Sequence, residues 1–261
     1  MEKENLIKLA EHLYQSALDA NAYYAIMMQY RELRKKYEDE MKISPAFYQV
    51  VYGALQKACF MEVAKLYDAT DVSMKQLLQC CRDNRALFPE YRDIVMVKED
   101  DREYFFQVPY QYYLNPTEEC FFENEVKIQR ELCKVFEAPD FEKAPMKVDL
   151  TFSELLDVWQ KRFHSLNKKQ KNIRVQRNKI YAHNDKEYSL EDEKIWDKNL
   201  VTYPDVKDMI DFALDCTRLI LGILTGENHA ENYGNIDDIE ETLILVKLGL
   251  QYQRERVEQE Y

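Results

Sequence analysis

The sequence predicts an all-α, mainly helical protein. Only 5 Gly and 7 Pro occur among 261 residues, so long uninterrupted elements are expected, and such elements are more often helices than strands. Apolar residues also recur every three or four positions in several segments, which is the period of an amphipathic helix. The 46% hydrophobic content is ordinary for a globular protein and argues against wholesale disorder.

Capping residues and helix breakers indicate where the helices start and end. Ser44 and Pro45 together are typical of a helix start, and Ser73 is expected to cap the following helix. Ser153 is expected to cap a later helix, and Gly226 to end another as a C′ glycine. The predicted helices cover residues 4–40, 45–67, 74–88, 117–137, 154–183, 204–225 and 238–258, and residues 139–150 are expected to form a loop.

Residues 90–115 differ from the rest of the chain. They contain β-branched and aromatic runs on both sides of Asp100 and Asp101, a pattern that fits either a small β-hairpin or an irregular insertion. We expect a single domain over residues 1–261, with this segment as an insertion.

Several classes of protein are disfavoured by absent features. The N-terminus is charged where a signal peptide would be apolar, and no apolar stretch approaches the roughly 20 residues that span a bilayer. The six cysteines include no C-x-x-C pair, and no histidines have the spacing of zinc ligands. No glycine-rich phosphate-binding loop occurs. We therefore expect a cytoplasmic protein with free thiols, no membrane association, no metal and no cofactor.

The charge distribution is uneven. A net charge of −12 argues against nucleic acid as a partner, because phosphate contacts need a basic surface. Residues 158–184, however, contain no Asp or Glu, and a concentrated cationic segment of this kind can still bind an anion. We call this segment the acid-free run, and its eight cations are Lys161, Arg162, Lys168, Lys169, Lys171, Arg174, Arg177 and Lys179.

The acid-free run ends in a short motif with the sequence RNKIYAHND, which extends from Arg177 to Asp185. An Arg, a polar residue and a His at this spacing resemble the signature of the HEPN superfamily. The fuller string R-N-K-x-Y-A-H-x-D is similar to the abortive-infection, AbiU-like branch of that superfamily. The order of the elements also fits, and the resemblance implies a HEPN-like helical bundle with long N-terminal helices.

The resemblance implies metal-independent cleavage of RNA, in which a ribose 2′-OH attacks the adjacent phosphate. Histidine suits the acid–base step near neutral pH, and the arginine fork suits the developing phosphoryl charge. The catalytic residues would be Arg177, His183 and Asn178, with Tyr181 and Asp185 supporting them. Asp185 would orient His183 or Arg177, or cap a chain reversal. The RNA-binding residues would be Lys168, Lys169, Lys171, Arg174 and Lys179.

One departure from the family concerns regulation. HEPN toxins that are silenced by nucleotidylation have a Tyr two residues after the His, whereas this sequence has Asp185. That mode of regulation is therefore not expected.

Helix geometry bears on how the motif is assembled. On an unbroken helix Arg177 and His183 would lie about 120° apart. Either the helix ends or kinks near Ala182, or two chains form the site together. The resemblance implies the second arrangement, a homodimer with paired motifs, and a toxin or antiphage function with an antitoxin or defence protein as a further partner. The alternative is a non-catalytic HEPN module that binds RNA or a partner protein in a defence or toxin–antitoxin system.

Overall fold

The structure is a computed structural model that describes residues 2–69, 72–99, 102–114, 118–135, 146–177 and 200–260. Helices predominate within these ranges and the strands form two small sheets, so the prediction of a mainly α-helical protein is confirmed. Contacts divide the chain into two compact units. The sheet unit contains Met1–Lys3 and Leu78–Leu166, and the helical unit contains Glu4–Leu77 and Asn167–Tyr261. The single domain stays a prediction, because compactness does not show whether a unit folds independently.

Among the described residues, the strands lie in the middle of the chain and the longest helices lie on either side of them. The helices are α1 (Lys3–Leu33), α2 (Glu38–Met41), α3 (Pro45–Leu66), α4 (Met74–Asp83), α5 (Glu123–Val135), α6 (Phe152–Ser165), α7 (Asn167–Gln176), α8 (Tyr203–Thr225) and α9 (Ile239–Glu260). The strands are β1 (Asp93–Glu99), β2 (Arg102–Val108), β3 (Tyr110–Tyr113) and β4 (Lys147–Leu150). Short 3₁₀ helices cover Arg85–Leu87 and Glu119–Phe121.

The core of the helical unit is formed by the apolar faces of its long helices. The buried residues of α1 and α8 recur at helical spacing, and in α1 they include Leu6, Ala10, Leu13 and Ala17. At the end of α3, the buried hydroxyl of Tyr67 donates a hydrogen bond of 2.6 Å to the carbonyl oxygen of Met209 in α8. The end of α3 is therefore fixed against the first half of α8.

The first helix is shorter than predicted. The sequence predicts helix over residues 4–40, but α1 ends at Leu33 and a turn separates it from α2. Tyr37, in that turn, is buried, and its hydroxyl donates a hydrogen bond of 2.8 Å to Glu240 of α9. Burial of this tyrosine against α9 accounts for the end of the long helix.

Local sequence signals correctly place several helix ends. Ser44 is the N-cap residue of α3 with Pro45 at its first position, although the Ser44 side chain makes no capping hydrogen bond. Helix α8 begins with a capping box, in which Thr202 Oγ1 accepts from the Asp205 N–H at 3.3 Å and an Asp205 carboxylate oxygen accepts from the Thr202 N–H at 2.9 Å. Gly226 has φ 77° and ends α8, as predicted.

The predicted helix over residues 154–183 is wrong in two respects. Its N-cap is Thr151, which forms a capping box with Glu154, and not Ser153. The helix also stops at Ser165, whose hydroxyl donates a hydrogen bond of 2.7 Å to the Arg162 carbonyl oxygen, and α7 begins after Leu166. At this point the chain passes from the sheet unit to the helical unit. The predicted end at His183 lies outside the described residues.

The sequence predicts either a small β-hairpin or an irregular insertion for residues 90–115, and the structure contains the hairpin. Strands β1 and β2 pair antiparallel, with Asp93 opposite Val108 and Glu99 opposite Arg102. All seven residues of β1 are exposed, so the hairpin contributes little to the core of the sheet unit.

The second sheet corrects the predicted loop over residues 139–150. Strand β4 pairs antiparallel with β3, which places Tyr110 opposite Leu150 and Tyr112 opposite Val148. These four side chains are buried, whereas the intervening Asp149 is exposed. Buried and exposed residues alternate in β4 over only four positions, and so short a pattern does not distinguish a strand from a loop in the sequence.

The connection between α8 and α9 is bound to α1 by side-chain hydrogen bonds. Three α1 side chains donate to backbone carbonyl oxygens of this connection: Tyr14 to Ala230 at 2.9 Å, Asn21 to Glu231 at 2.9 Å and Gln29 to Ile236 at 2.7 Å. Lys36 also contacts Glu240 at the start of α9. The position of α9 is thereby fixed at its N-terminal end.

Two N-caps of the helical unit, Ser44 and Thr202, give a matched test of capping. Thr202→Ala removes a complete capping box and should lower the free energy of unfolding by about 1 kcal/mol. Ser44→Ala removes a side chain that makes no capping bond and should change the stability by a few tenths of a kcal/mol. Urea denaturation followed by circular dichroism measures both. Equal losses in the two variants would contradict the capping geometry.

Candidate functional site

The structure describes the motif only at its first residue. Arg177 follows directly after α7, in the helical unit. The other predicted motif residues, Asn178, Lys179, Tyr181, His183 and Asp185, lie outside the described residues. The site can therefore be built from Arg177 and from the helix that leads to it.

Arg177 is held by a carboxylate at the end of another helix. Its Nη1 donates a hydrogen bond of 2.6 Å to Oδ2 of Asp68, which lies two residues beyond the end of α3. The other Asp68 oxygen, Oδ1, accepts from the backbone N–H of Ala69 at 2.9 Å. Both side chains are mostly buried, with exposed fractions of 19% for Arg177 and 24% for Asp68. The guanidinium therefore has a fixed position at the start of the motif.

This pairing changes the acidity of Asp68. The hydrogen bond from Arg177 lowers the pKa of the Asp68 carboxyl, and although partial burial opposes this effect, the Ala69 N–H and the charges of Arg177 and Arg174 add to it. The carboxylate form is therefore favoured, and near neutral pH the pair is an ion pair.

Helix α7 places its cations in different environments. One face is buried through Gln170, Asn172, Ile173 and Gln176. Lys168 and Lys171 are exposed, and Arg174 is half-buried. The structure describes four of the predicted RNA-binding residues. Among these four, Lys168 and Lys171 are the most exposed to solvent.

Lys169 has carboxylate partners on α8. Its Nζ lies 3.0 Å from Asp205 Oδ1 and 3.0 Å from Asp208 Oδ2. Burial alone would lower the pKa of Lys169, but its hydrogen bonds to Asp208 and Asp205 and their charges outweigh burial and raise it. The Lys169 charge is therefore used to join α7 to α8, and less of it is available to an external phosphate.

The acid-free run is not one continuous basic surface. Arg162 belongs to α6 in the sheet unit, where it is buried and its Nε lies 3.2 Å from Glu118 Oε1. Its Nη1 also donates to the hydroxyl of Tyr112 at 3.3 Å, and burial raises the pKa of that tyrosine. Acidic residues from distant segments of the chain thus neutralise some of the cations of the acid-free run.

Asp68 is the functional candidate that sequence reasoning missed. It lies 109 positions before Arg177, in a segment without a motif, so only the packing of α3 on α7 brings the two residues together. A single carboxylate beside an arginine orients the guanidinium and also reduces the net charge of the site. Both consequences matter for the function proposed below.

Two further observations concern the kind of site. Within the described ranges, no group of three or more His, Cys, Asp or Glu side chains is placed to hold a metal ion. Each helix that the structure describes is either too short or too polar to cross a lipid bilayer.

The chain thus combines a mainly helical fold with an arginine that is fixed at the end of a basic helix. A family model described as AbiU2 (HEPN_AbiU2) matches residues 3–243, and the chain therefore belongs to this family of HEPN domains of the abortive-infection type. The resemblance noted in the sequence is confirmed. No curated protein matches the chain significantly, and no solved structure does.

The Asp68–Arg177 pair makes stability depend on pH in a defined direction. Because the pKa of Asp68 is lowered in the folded protein, the pair stabilises the fold fully above the ordinary value of 3.8. This stabilisation is lost as the pH falls through the lower folded pKa. Asp68→Asn should therefore cost about 1 kcal/mol near neutral pH, and the difference from wild type should shrink as the pH falls below that ordinary value.

Denaturant unfolding at a series of pH values measures this difference. Asp237→Asn, which changes an exposed acid in the same unit, is the matched control and should have little effect. A cost for Asp68→Asn that stayed constant down to the lowest pH would be incompatible with an ion pair.

Proposed function

We propose that the protein is a metal-independent HEPN endoribonuclease that acts as a toxin or antiphage effector in abortive infection. Membership of the HEPN_AbiU2 family supports the general assignment. The observation that carries the catalytic part is the fixed position of Arg177, which the Asp68 carboxylate holds at the start of the motif. An arginine that is held in place can stabilise developing charge without first being ordered.

The proposed reaction is an internal transesterification. The ribose 2′-oxygen forms a bond to the adjacent phosphorus and the bond from phosphorus to the 5′-oxygen breaks. The products are a 2′,3′-cyclic phosphate and a free 5′-hydroxyl. Neutral His183 accepts the 2′-OH proton, and a protonated histidine gives a proton to the leaving 5′-oxygen. Arg177 stabilises the charge on the phosphoryl oxygens, and Asn178 hydrogen-bonds the phosphate or holds the arginine.

The contact with Asp68 is compatible with this function of Arg177. A guanidinium has five N–H donors in a rigid planar fork, and Asp68 accepts from Nη1. The carboxylate fixes the position of Nη1 and thereby restricts the directions of the other donors. Asp68 is in this proposal a positioning residue, and it acts on the substrate only through Arg177.

A homodimer is part of the proposal. Two copies of the motif in one cleft would supply two histidines, one as the base and one as the acid. Lys179 would add positive potential there, and Tyr181 and Asp185 would support the motif. An antitoxin or another defence protein is a further proposed partner.

The second candidate function is that of a non-catalytic RNA-binding or partner-binding module. One observation favours it specifically: Asp68 compensates the charge of Arg177, which weakens the electrostatic stabilisation that a ribonuclease requires of this residue. In a module, the exposed Lys168 and Lys171 would bind RNA or an acidic partner, and Arg177 would have a structural function.

The first prediction of this proposal concerns cleavage. His183→Ala and Arg177→Ala should each lower the rate of RNA cleavage by about two to four powers of ten, because they remove the base and the stabilising cation. Cleavage by the wild type should persist in EDTA and leave 2′,3′-cyclic phosphate ends. Gel analysis of RNA products with end-group mapping measures both properties.

His164→Ala is the matched control for this experiment. His164 is an exposed histidine of α6 whose Nδ1 lies 2.6 Å from the Gln160 carbonyl oxygen, and its loss should leave the cleavage rate unchanged. RNA binding without cleavage, insensitive to His183→Ala, would favour the module. Loss of cleavage in EDTA would instead reveal a metal requirement.

The second prediction concerns the RNA-binding surface. The logarithm of the binding constant should fall linearly with the logarithm of the salt concentration, with a slope of roughly −0.7 for each phosphate contacted on a single strand. Lys168→Gln combined with Lys171→Gln should make this slope shallower by about 1.4, if each lysine contacts one phosphate. Fluorescence anisotropy in the His183→Ala background measures binding while the RNA stays intact.

Two comparisons make this experiment selective. Lys35→Gln combined with Lys57→Gln removes two exposed lysines elsewhere in the same unit and should leave the slope unchanged. Lys169→Gln should mainly lower stability, because Lys169 pairs with Asp205 and Asp208. If the Lys168 and Lys171 variant kept the wild-type slope, RNA would bind through another surface.

A further inference from the structure

Helix α9 is apolar on two opposite sides. The inner side carries Ile239, Leu243, Val246 and Leu250, which recur at helical spacing and are buried or half-buried. Leu243 is almost fully buried, with an exposed fraction of 1%. At 100° per residue, the side opposite these four residues should be polar if α9 were an ordinary surface helix.

The outer side of α9 is instead apolar and exposed. Leu245, Leu248 and Tyr252 lie on it with exposed fractions of 69%, 54% and 62%. We call these three residues the outer stripe. Their spacing of three and four is that of a helix-packing face, and burying each side chain would contribute on the order of 2 kcal/mol. The outer stripe therefore has the composition of an interface, and the described residues of its own chain leave it uncovered.

We propose that the outer stripe pairs with the outer stripe of a second copy of this chain, with the two helices antiparallel. When Leu245 of one copy is placed against Tyr252 of the other, two-fold symmetry also places Tyr252 against Leu245. The same register puts Leu248 against Gly249 near the midpoint of the helix. The pairing is thus self-complementary, as a two-fold interface requires.

Gly249 supports this register. Glycine in a helix interior costs about 1 kcal/mol relative to alanine, so its presence in α9 calls for a reason. The part of the chain that the structure describes gives no steric reason, because a Cβ added at Gly249 would meet none of its atoms within 4 Å. In the antiparallel pair the missing side chain leaves room for Leu248 of the second copy, so that the two helices approach closely.

The charges at the ends of the stripe favour the antiparallel direction and a second copy as the occupant. Glu241 and Arg256 lie on the outer side at opposite ends of the stripe. The proposed register places Glu241 of each copy beside Arg256 of the other and places Glu255 beside Thr242. A parallel pair would instead place Glu241 against Glu241, which is unfavourable.

The surface is separate from the part of the chain that defines its family. The family match ends at residue 243, and the outer stripe begins at Leu245. The proposal therefore concerns the assembly of this chain and stands whether or not the protein cleaves RNA. A mass measurement tests it without an activity assay.

The first test is the solution mass over a concentration series, measured by sedimentation velocity. The wild type should approach twice 31.4 kDa at micromolar concentration. Leu245→Glu combined with Leu248→Glu should weaken the dimer on the order of 100-fold, because two charges would be placed in an apolar interface. Ile128→Glu combined with Leu132→Glu, on the exposed side of α5, is the matched control and should dimerise like the wild type.

The second test fixes the direction of the helices. In a variant with Cys120 and Cys133 changed to serine, Leu248→Cys should be cross-linked between copies by a short bis-maleimide, because the two residues 248 lie beside the two-fold axis. Glu241→Cys should not be cross-linked, because in the antiparallel pair the two residues 241 lie at opposite ends. Glu241→Arg should weaken the dimer, and adding Arg256→Glu should restore it.

Three results would overturn the proposal. These are a wild type that stays monomeric throughout the series, a dimer insensitive to the Leu245 and Leu248 substitutions, and cross-linking through residue 241 with none through residue 248. Circular dichroism of each variant distinguishes loss of pairing from loss of folding, because an unfolded variant loses its helical signal and a folded monomer keeps it.

Discussion

The contact on which the candidate site depends is the ion pair between Asp68 and Arg177. It joins the end of α3 to the end of α7, and both side chains are mostly shielded from solvent. Since α3 is itself fixed on α8 through the bond from Tyr67 to Met209, the position of Arg177 is determined by the core of the helical unit. The motif thus begins at a residue whose place is set by packing, and in the proposed ribonuclease this would hold the arginine ready for its substrate.

Ion pairs between residues that are distant in the sequence also explain how an acidic chain can present a cationic helix. Some cations of the acid-free run are used internally: Lys169 joins α7 to α8, and Arg162 is buried with Glu118 in the sheet unit. Lys168 and Lys171 remain exposed on α7. Distant acids thus determine which cations serve the fold and which face solvent. For a binding surface this distribution matters more than the net charge of −12.

Sequence reasoning succeeded where structure is decided locally. Pro45 and Gly226 mark helix ends because each residue has its own backbone preference, and the motif at Arg177 indicated the family. Sequence reasoning failed where contacts between residues far apart in the sequence determine the structure. Strand β4 exists only through its pairing with β3, and Asp68 meets Arg177 across 109 positions. The end of α6 at Ser165 coincides with a change of unit, which no local pattern in the basic run indicates.

In the proposed reaction, a 2′-OH of the RNA is the nucleophile, and Arg177 and His183 support the cleavage without a metal. Its most direct test uses an RNA cleaved at a mapped site and the same RNA with a single 2′-deoxynucleotide on the 5′ side of that site. Cleavage at this position should be abolished in the substituted RNA, because the attacking oxygen is absent, while the two RNAs should bind equally well. Cleavage of the deoxy-substituted RNA at an unchanged rate would rule out the 2′-OH as the nucleophile, since water or another group would then attack the phosphate.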